Sequence, residues 1–438
     1  MEVLIMVGQL ILALSILVSL HEFGHFAAAR YFGIKVEKFY VFFDAWGYKL
    51  VNYRKGDTEY GIGWLPLGGY VKIAGMIDES MDRESMKKPP QPYEFRSKPA
   101  WQRLIVMVAG VFVNVILGIF IFSMISFGYG QQYLPAENME HGIVALELGE
   151  EVGLKTGDKI VEINNRPIER FEELNSPDVI FGKDTRLTII RNGETQEISL
   201  GKDFLRKFTE REGRGFVQPR FPFYVEAVMD GTPAAEAGLK QGDRIVSLNG
   251  DTTKFFDQIQ KSLQEKKGEE VKLTIDRDGE IIKMNTKVSE EGTLGFYPGN
   301  ELEYERKEFG LLASFRQGSN QAFESLSVTI KGLGTVITGQ VPAQQALHGP
   351  IGIATVFGGE WNWQQFWILT GLLSMVLAFM NILPIPALDG GHAMFLLIEM
   401  VRGKPVGQKV MEVAQMIGIV ILLTLMVFVF YIDIAKLF

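Results

Sequence analysis

Long uncharged stretches interrupt the mixed polar and apolar pattern of the chain in four places. Val3 to Leu20, VLIMVGQLILALSILVSL, carries no charge, and at about 1.5 Å per residue it extends about 27 Å, close to one hydrocarbon core. Leu104 to Phe127 (LIVMVAGVFVNVILGIFIFSMISF), Phe366 to Leu383 (FWILTGLLSMVLAFMNIL) and Met416 to Ile432 (MIGIVILLTLMVFVFYI) repeat the pattern, the first of these interrupted by the polar Asn114. Each predicts a membrane-spanning helix. The Val3 to Leu20 stretch has neither the basic start nor the small-residue cleavage site of a signal peptide and runs on into HEFGHFAAARYF, so it reads as a retained span. Four spans put both termini on one side.

Other patterns fill the connections. Residues 35 to 75 (KVEKFYVFFDAWGYKLVNYRKGDTEYGIGWLPLGGYVKIAG) are rich in aromatic and β-branched residues with Gly turns, which predicts strands too apolar for a solvated loop, lying against or dipping into the membrane. Between spans two and three an internal repeat occurs: GLKTGDKIVEINN (153 to 165) returns as GLKQGDRIVSLNG (238 to 250), and GRGFVQP (213 to 219) is echoed by GTLGFYP (292 to 298). Two tandem copies of a small domain are indicated, each with a Gly-Asp turn, an alternating strand and later strands (TRLTIIRNG, VKLTIDRDG) closing in hairpin turns. This resembles the PDZ domain in its circularly permuted bacterial form. Its peptide-binding loop would be Gly292, Leu294, Gly295 and Phe296, with Gly213 to Phe216 a degenerate counterpart; a spacer or size filter is the plain alternative. Leu311 to Gly339 is amphipathic and predicts a helix either on the membrane surface or packed under the repeats.

Composition adds exclusions. The chain has 438 residues, 47% hydrophobic and 22% charged, with a formal net charge of -8; without a basic face, nucleic-acid binding is not expected. It has no cysteine, so thiolate metal sites and cysteine nucleophiles are excluded. Lys and Arg crowd the Arg30 to Arg103 connection and the link carrying Arg402, Lys404 and Lys409, while the segments flanking the repeat lack them. The bias places the former inside and residues 128 to 365 outside.

Chemistry enters at residues 19 to 30, SLHEFGHFAAAR. His21 and His25 are four apart on a predicted helix, so both imidazoles face one way and can hold one metal, with Glu22 beside them as a base for water: the HExxH pattern. Ionisable groups at membrane depth cost about 2.5 to 3.5 kcal/mol each and by default mark function. A catalytic zinc takes three protein ligands, and NILPIPALDGGHAMFLLIEM (381 to 400) offers Asp389, just past the end of a span running parallel to the first and so at similar depth. Asp389 as a simple helix cap is the alternative reading. His392 reads as a neighbour of the site rather than a ligand.

HEFGH at the end of span one, NxxPxPxLDGG at span three, GPIGIA (349 to 354), FRSKPAWQRLIVMVAG before span two and the tandem repeat together resemble the site-2 protease family of intramembrane zinc metalloproteases. The resemblance implies one zinc per chain on His21, His25 and Asp389, with Glu22 as general base and Asn381 contacting the substrate backbone. It also implies that residues 58 to 75 form a membrane-reentrant hairpin, with Gly61, Gly63, Leu65, Gly68 and Gly69 binding an unwound substrate. FFDAWGYKL (42 to 50) departs from the family's usual Gly-Phe-Gly stretch. The implied substrate is a single-span membrane protein already cut by an upstream periplasmic site-1 protease, typically an anti-sigma factor in an envelope stress response, or a remnant signal peptide.

The resulting fold class is a polytopic α-helical membrane protein of four spans with a membrane-associated β region and two permuted PDZ domains. Its segments are 1–34 (span one), 35–100 (β region), 101–128 (span two), 129–222 and 223–300 (the PDZ pair), 301–362 (amphipathic surface segment), 363–402 (span three with the broken LDG segment) and 403–438 (span four). It is placed in the inner membrane of a bacterium, termini and PDZ pair outside, active site near the cytoplasmic face. Competing readings are a metal transporter, which would need polar residues along whole spans, and an inactive PDZ scaffold, which has no use for Glu22.

Overall fold

The structure is a computed structural model describing all residues except 67, 77–88, 212–214 and 437–438. Gly213, named above in the first repeat, lies outside the described residues. The chain divides into two compact units, Met1–Gly130 with Glu308–Phe438, and Gln131–Lys307.

The first unit is a helical bundle with one small sheet. Its helices are α1 (Glu2–Tyr31), α2 (Ala100–Tyr129), α3 (Leu311–Ile337), α4 (Pro350–Phe357), α5 (Trp363–Ile382), α6 (Asp389–Arg402) and α7 (Gln408–Ala435). Among the described residues four helices are long and apolar enough to cross a membrane: α1, α2, α5 and Lys409–Ala435 of α7. The helix α1 continues through HEFGH without a break, Gly24 included, and stops where Gly33 takes φ 67. α5 stops at Leu383 because Pro384 and Pro386 cannot extend it. The broken stretch 383–388 then folds back: Ala387 adopts φ 97, and a Cβ on Gly391 would come within 2.7 Å of Pro386 Cα. Gly418 of α7 lies against the Pro386 carbonyl. Glycine is required at these contacts because backbone meets backbone.

The sheet contains β1 (Val36–Tyr40), β2 (Lys49–Lys55), β3 (Thr58–Gly63) and β4 (Tyr70–Ile73), in the order β2-β3-β1-β4. This corrects the hairpin expected over 58–75: β3 and β4 are not paired with each other, because β1 lies between them, parallel to β3 and antiparallel to β4. The hairpin is β2 with β3, turning at Gly56 and Asp57. Burial of Ala29, Ile34, Val36, Ile73, Phe95, Val106, Met107 and Leu396 in one cluster fixes the sheet to α1, α2 and α6. An ion pair of Arg103 with Glu399 ties α2 to α6.

The amphipathic helix α3 packs along α2 and α5. Gly318 lies against Ser123, and Ala322 is buried among Ile121, Phe122, Ile125 and Met375. The second unit holds two lobes of like strand order. In one, the order is Glu194–Ser199, Arg186–Arg191, Lys159–Ile163, Arg166–Pro167; in the other it is Glu280–Lys287, Glu270–Arg277, Arg244–Leu248, Asp251–Thr252. In each, the buried Asp of the Gly-Asp turn pairs with an Arg, Asp158 with Arg191 and Asp243 with Arg277, and that Arg also donates to a glycine carbonyl, Gly153 or Gly238.

Both ends of α4 are satisfied by side chains from membrane-spanning helices. Asp433, 3% exposed on α7, accepts backbone N–H bonds from Gly349 (2.8 Å), Ile351 (2.9 Å) and Gly352 (3.2 Å). At the other end Gln9 of α1 donates to the carbonyls of Gly358 (3.1 Å) and Glu360 (3.3 Å). Helix ends buried without such partners are costly. The Gly-Pro-Ile-Gly start of α4 is thereby explained, since Cβ atoms on Gly349 and Gly352 would crowd the Asp433 carboxylate. Asp433→Ala should lower the thermal unfolding midpoint of the purified chain in detergent, the lost bonds being worth on the order of 3 kcal/mol, and Asp433→Asn, which keeps one acceptor oxygen, should be milder. Equal midpoints for all three would show that water replaces the carboxylate.

Candidate metal centre

Four helices, α1, α2, α5 and α6, meet at the HExxH turn. The close approach of α1 to α2 depends on Gly24, where a Cβ would stand 2.5 Å from the Ala109 carbonyl oxygen. His21 and His25, one turn apart on α1, are 8% and 6% exposed. Asp389 is the first residue of α6, whose cap is Leu388, so its carboxylate is directed at the histidines rather than at its own helix.

The donor atoms form a small triangle. His21 Nε2 is 3.0 Å from Asp389 Oδ2, His25 Nε2 is 3.3 Å from the same oxygen, and the two Nε2 atoms are 3.1 Å apart. In a tetrahedral zinc site with bonds of about 2.0 to 2.1 Å, ligand atoms stand roughly 3.3 to 3.4 Å from one another. A cation of that size therefore fits with only slight opening. The donor chemistry agrees: His25 Nδ1 donates to the Val106 carbonyl at 2.8 Å, which leaves the Nε2 lone pair facing the triangle. Space is provided by Gly110 of α2, where a Cβ would stand 2.5 Å from His25 Nε2 and 2.8 Å from His21 Nε2.

Beside the triangle, against His25 and Asp389, lies a cavity of about 540 Å³. Glu22, half-buried, and His25, Asp389, His392 and Gln415 form its helical wall. The opposite wall comes from the sheet: β4, an edge strand among the described residues, runs along it, with Leu65, Gly69 and a polar cluster of Lys38, Asp44 and Tyr70. Lys38 Nζ and the Tyr70 hydroxyl both donate to the Asp44 carboxylate, at 2.9 and 2.8 Å. Burial alone would raise the Asp44 pKa, but these two donors outweigh it and hold the carboxyl below its usual range. Asp44 belongs to the FFDAWG segment and pins it to β1 and β4.

Of the other residues singled out from sequence, Asn381 lies in the last turn of α5 with Nδ2 3.4 Å from His21 Nε2. Gly61 and Gly63 are in β3, paired on both sides, where a Cβ would strike Tyr40 and the Phe43 carbonyl. Gly68 packs on the Phe43 ring. In the second unit Leu294 is buried and its carbonyl accepts from Ala234 N–H, Gly295 takes φ 84, and Phe296 begins a strand paired with Phe223–Val228; Gly292 packs against Gln264.

The family model for Peptidase family M50 matches residues 9–425. The chain belongs to peptidase family M50, the site-2 protease family. It is 30% identical to the regulator of sigma E protease of Haemophilus influenzae, with 98% of each chain covered. It is 28% identical to the regulator of sigma-E protease of Escherichia coli, again with 98% of each covered, and 27% to a putative zinc metalloprotease of Neisseria meningitidis, 98% and 98%. This M50 chain is a metalloprotease with apolar helices fitting a membrane protein. The relatives' names support zinc as its metal, and His21, His25 and Asp389 form a group able to hold one.

Sequence reasoning missed Gly110 as part of the M50 site and saw Asn114 only as an interruption. Their signal was present: they are four apart in an apolar helix, the same spacing as His21 and His25, so they share a face. Gly110→Ala should lower zinc content at least tenfold in metal analysis of the purified protein, with helical circular dichroism retained, since the new methyl would occupy the cradle. Full zinc occupancy would show that the rings yield.

Proposed function

We propose that this M50 metalloprotease hydrolyses a peptide bond within or near the membrane segment of a single-span protein. The observation that carries the reading is the triangle of His21 Nε2, His25 Nε2 and Asp389 Oδ2 inside a helical bundle. In this reading those three residues hold zinc. Bound there, zinc supplies a Lewis acid that polarises the scissile carbonyl and acidifies water. Glu22 takes the proton of the attacking water and returns it to the leaving amine, so that a C–O bond forms as the C–N bond breaks. Asn381, beside His21, positions the substrate backbone.

A helix hides its own carbonyls, so the substrate segment must be unwound before it is cut. The sheet is suited to holding it extended, because β4 is an edge strand along the cavity wall and an unwound segment can add to such an edge. β3, with neighbours on both sides, has no such edge; the glycines Gly61 and Gly63 instead let the sheet pack tightly behind it. Leu65 and Gly69 line the cavity beside β4, and Gly68 packs on the Phe43 ring.

The two lobes of the second unit are read as tandem permuted PDZ domains, with Gly292, Leu294, Gly295 and Phe296 as a peptide-binding loop. Their role is to exclude or recognise substrates according to prior cleavage by an upstream protease. Two of the relatives carry the name regulator of sigma E protease, which supports an anti-sigma factor as substrate and a bacterial inner membrane as location. The termini and the lobes are placed on the periplasmic side, with the catalytic cavity near the cytoplasmic face. Gln9 of α1 and Asp433 of α7 meeting at α4 supports both termini lying at one end of the bundle.

Glu22→Gln should retain one zinc per chain and lose cleavage of a membrane-embedded test peptide by at least a hundredfold, the usual scale for a lost general base. His21→Ala should lose the zinc as well. Undiminished cleavage by Glu22→Gln would overturn the assignment of the base.

A further inference from the structure

Asn114 carries a buried amide that no step of the hydrolysis uses. The residue is fully buried on α2, and its main-chain carbonyl accepts the Ser374 hydroxyl of α5 at 2.7 Å, which holds it at fixed depth. The side-chain Nδ2 stands 3.2 Å from His21 Nδ1, while the side-chain Oδ1 has no hydrogen-bond partner. An orphaned buried carbonyl is costly. The two ends of a carboxamide are nearly isosteric, so these atom positions admit either orientation.

The chemistry of the triangle selects between them. With the NH2 group donating to His21 Nδ1, the ring proton sits on Nε2, pointing at Asp389 Oδ2, and Nε2 cannot hold a metal. For Nε2 to offer its lone pair, Nδ1 must carry the proton and needs an acceptor. His25 meets the same need with the Val106 carbonyl. We propose that Asn114 is the positioning residue of His21: its Oδ1 accepts Nδ1–H in the metal-loaded protein, and the amide turns over when metal leaves and His21 Nε2 donates to Asp389. The inference rests on His21 being a zinc ligand. With Val106 already holding His25, it makes α2, which contributes no ligand, responsible for the orientation of both histidines.

The test is zinc affinity of the purified full chain in detergent, measured by competition with a chelator. Asn114→Leu should bind zinc 10- to 100-fold more weakly, the usual effect of removing an orienting hydrogen bond. Asn114→Asp, which can only accept when ionised, should bind as tightly as the parent or more so. Parent-like affinity in Asn114→Leu overturns the proposal, and so does a loss in Asn114→Asp as large as in Asn114→Leu, since the amide would then act as donor or filler. Should Asn114→Leu not fold, the 15N spectrum of labelled histidine in the zinc-loaded parent decides: a protonated Nδ1 and unprotonated Nε2 on His21 support the proposal, the reverse overturns it. Failure of the parent to bind zinc would instead remove the reading of the site itself.

Discussion

Polar groups buried among apolar helices are costly unless they find partners, because neither lipid nor a dry bundle supplies one. That constraint organises the first unit. His25 uses a backbone carbonyl left accessible on α2, Asn114 is set against His21, and Ser374 ties α5 to the same turn of α2. The triangle of donors is thus the meeting point of α1, α2, α5 and α6 rather than a decoration on one helix.

Close approach is the second requirement, and glycine meets it. Gly24 brings α1 against α2 and Gly110 leaves room for two imidazoles, while Gly390 and Gly391 allow α6 to start directly behind the broken end of α5. The two prolines between those helices end one and let the next begin at Asp389, so the carboxylate arrives at the depth of the histidines on a short, tightly packed turn. Far from this turn the same logic recurs at α4, whose two ends are completed by Asp433 and Gln9.

The cavity has two chemically distinct walls. One is helical and holds Glu22, His25 and Asp389; the other is a sheet edge carrying β4, with Lys38, Asp44 and Tyr70 locked to one another. In the proposed reaction the helical wall supplies the chemistry and the sheet wall holds a backbone that has surrendered its helical hydrogen bonds.

The sequence by itself determined the four spans, the helix through His21, Glu22 and His25, and the family, because hydropathy and the i, i+4 spacing are local and survive in any context. It also pointed to Asp389, since the first and third of four alternating spans run parallel and their matching ends meet. What it did not determine is who faces whom. The insertion of β1 between β3 and β4 follows from long-range pairing that a run of aromatic and β-branched residues does not specify. The parts played by Gly110, Asn114 and Asp433 depend on contacts with residues far along the chain, or on empty space beside a helix, and neither leaves a local pattern. Only the packed bundle decided them, because a buried polar atom or a missing Cβ acquires meaning from the atom that stands opposite.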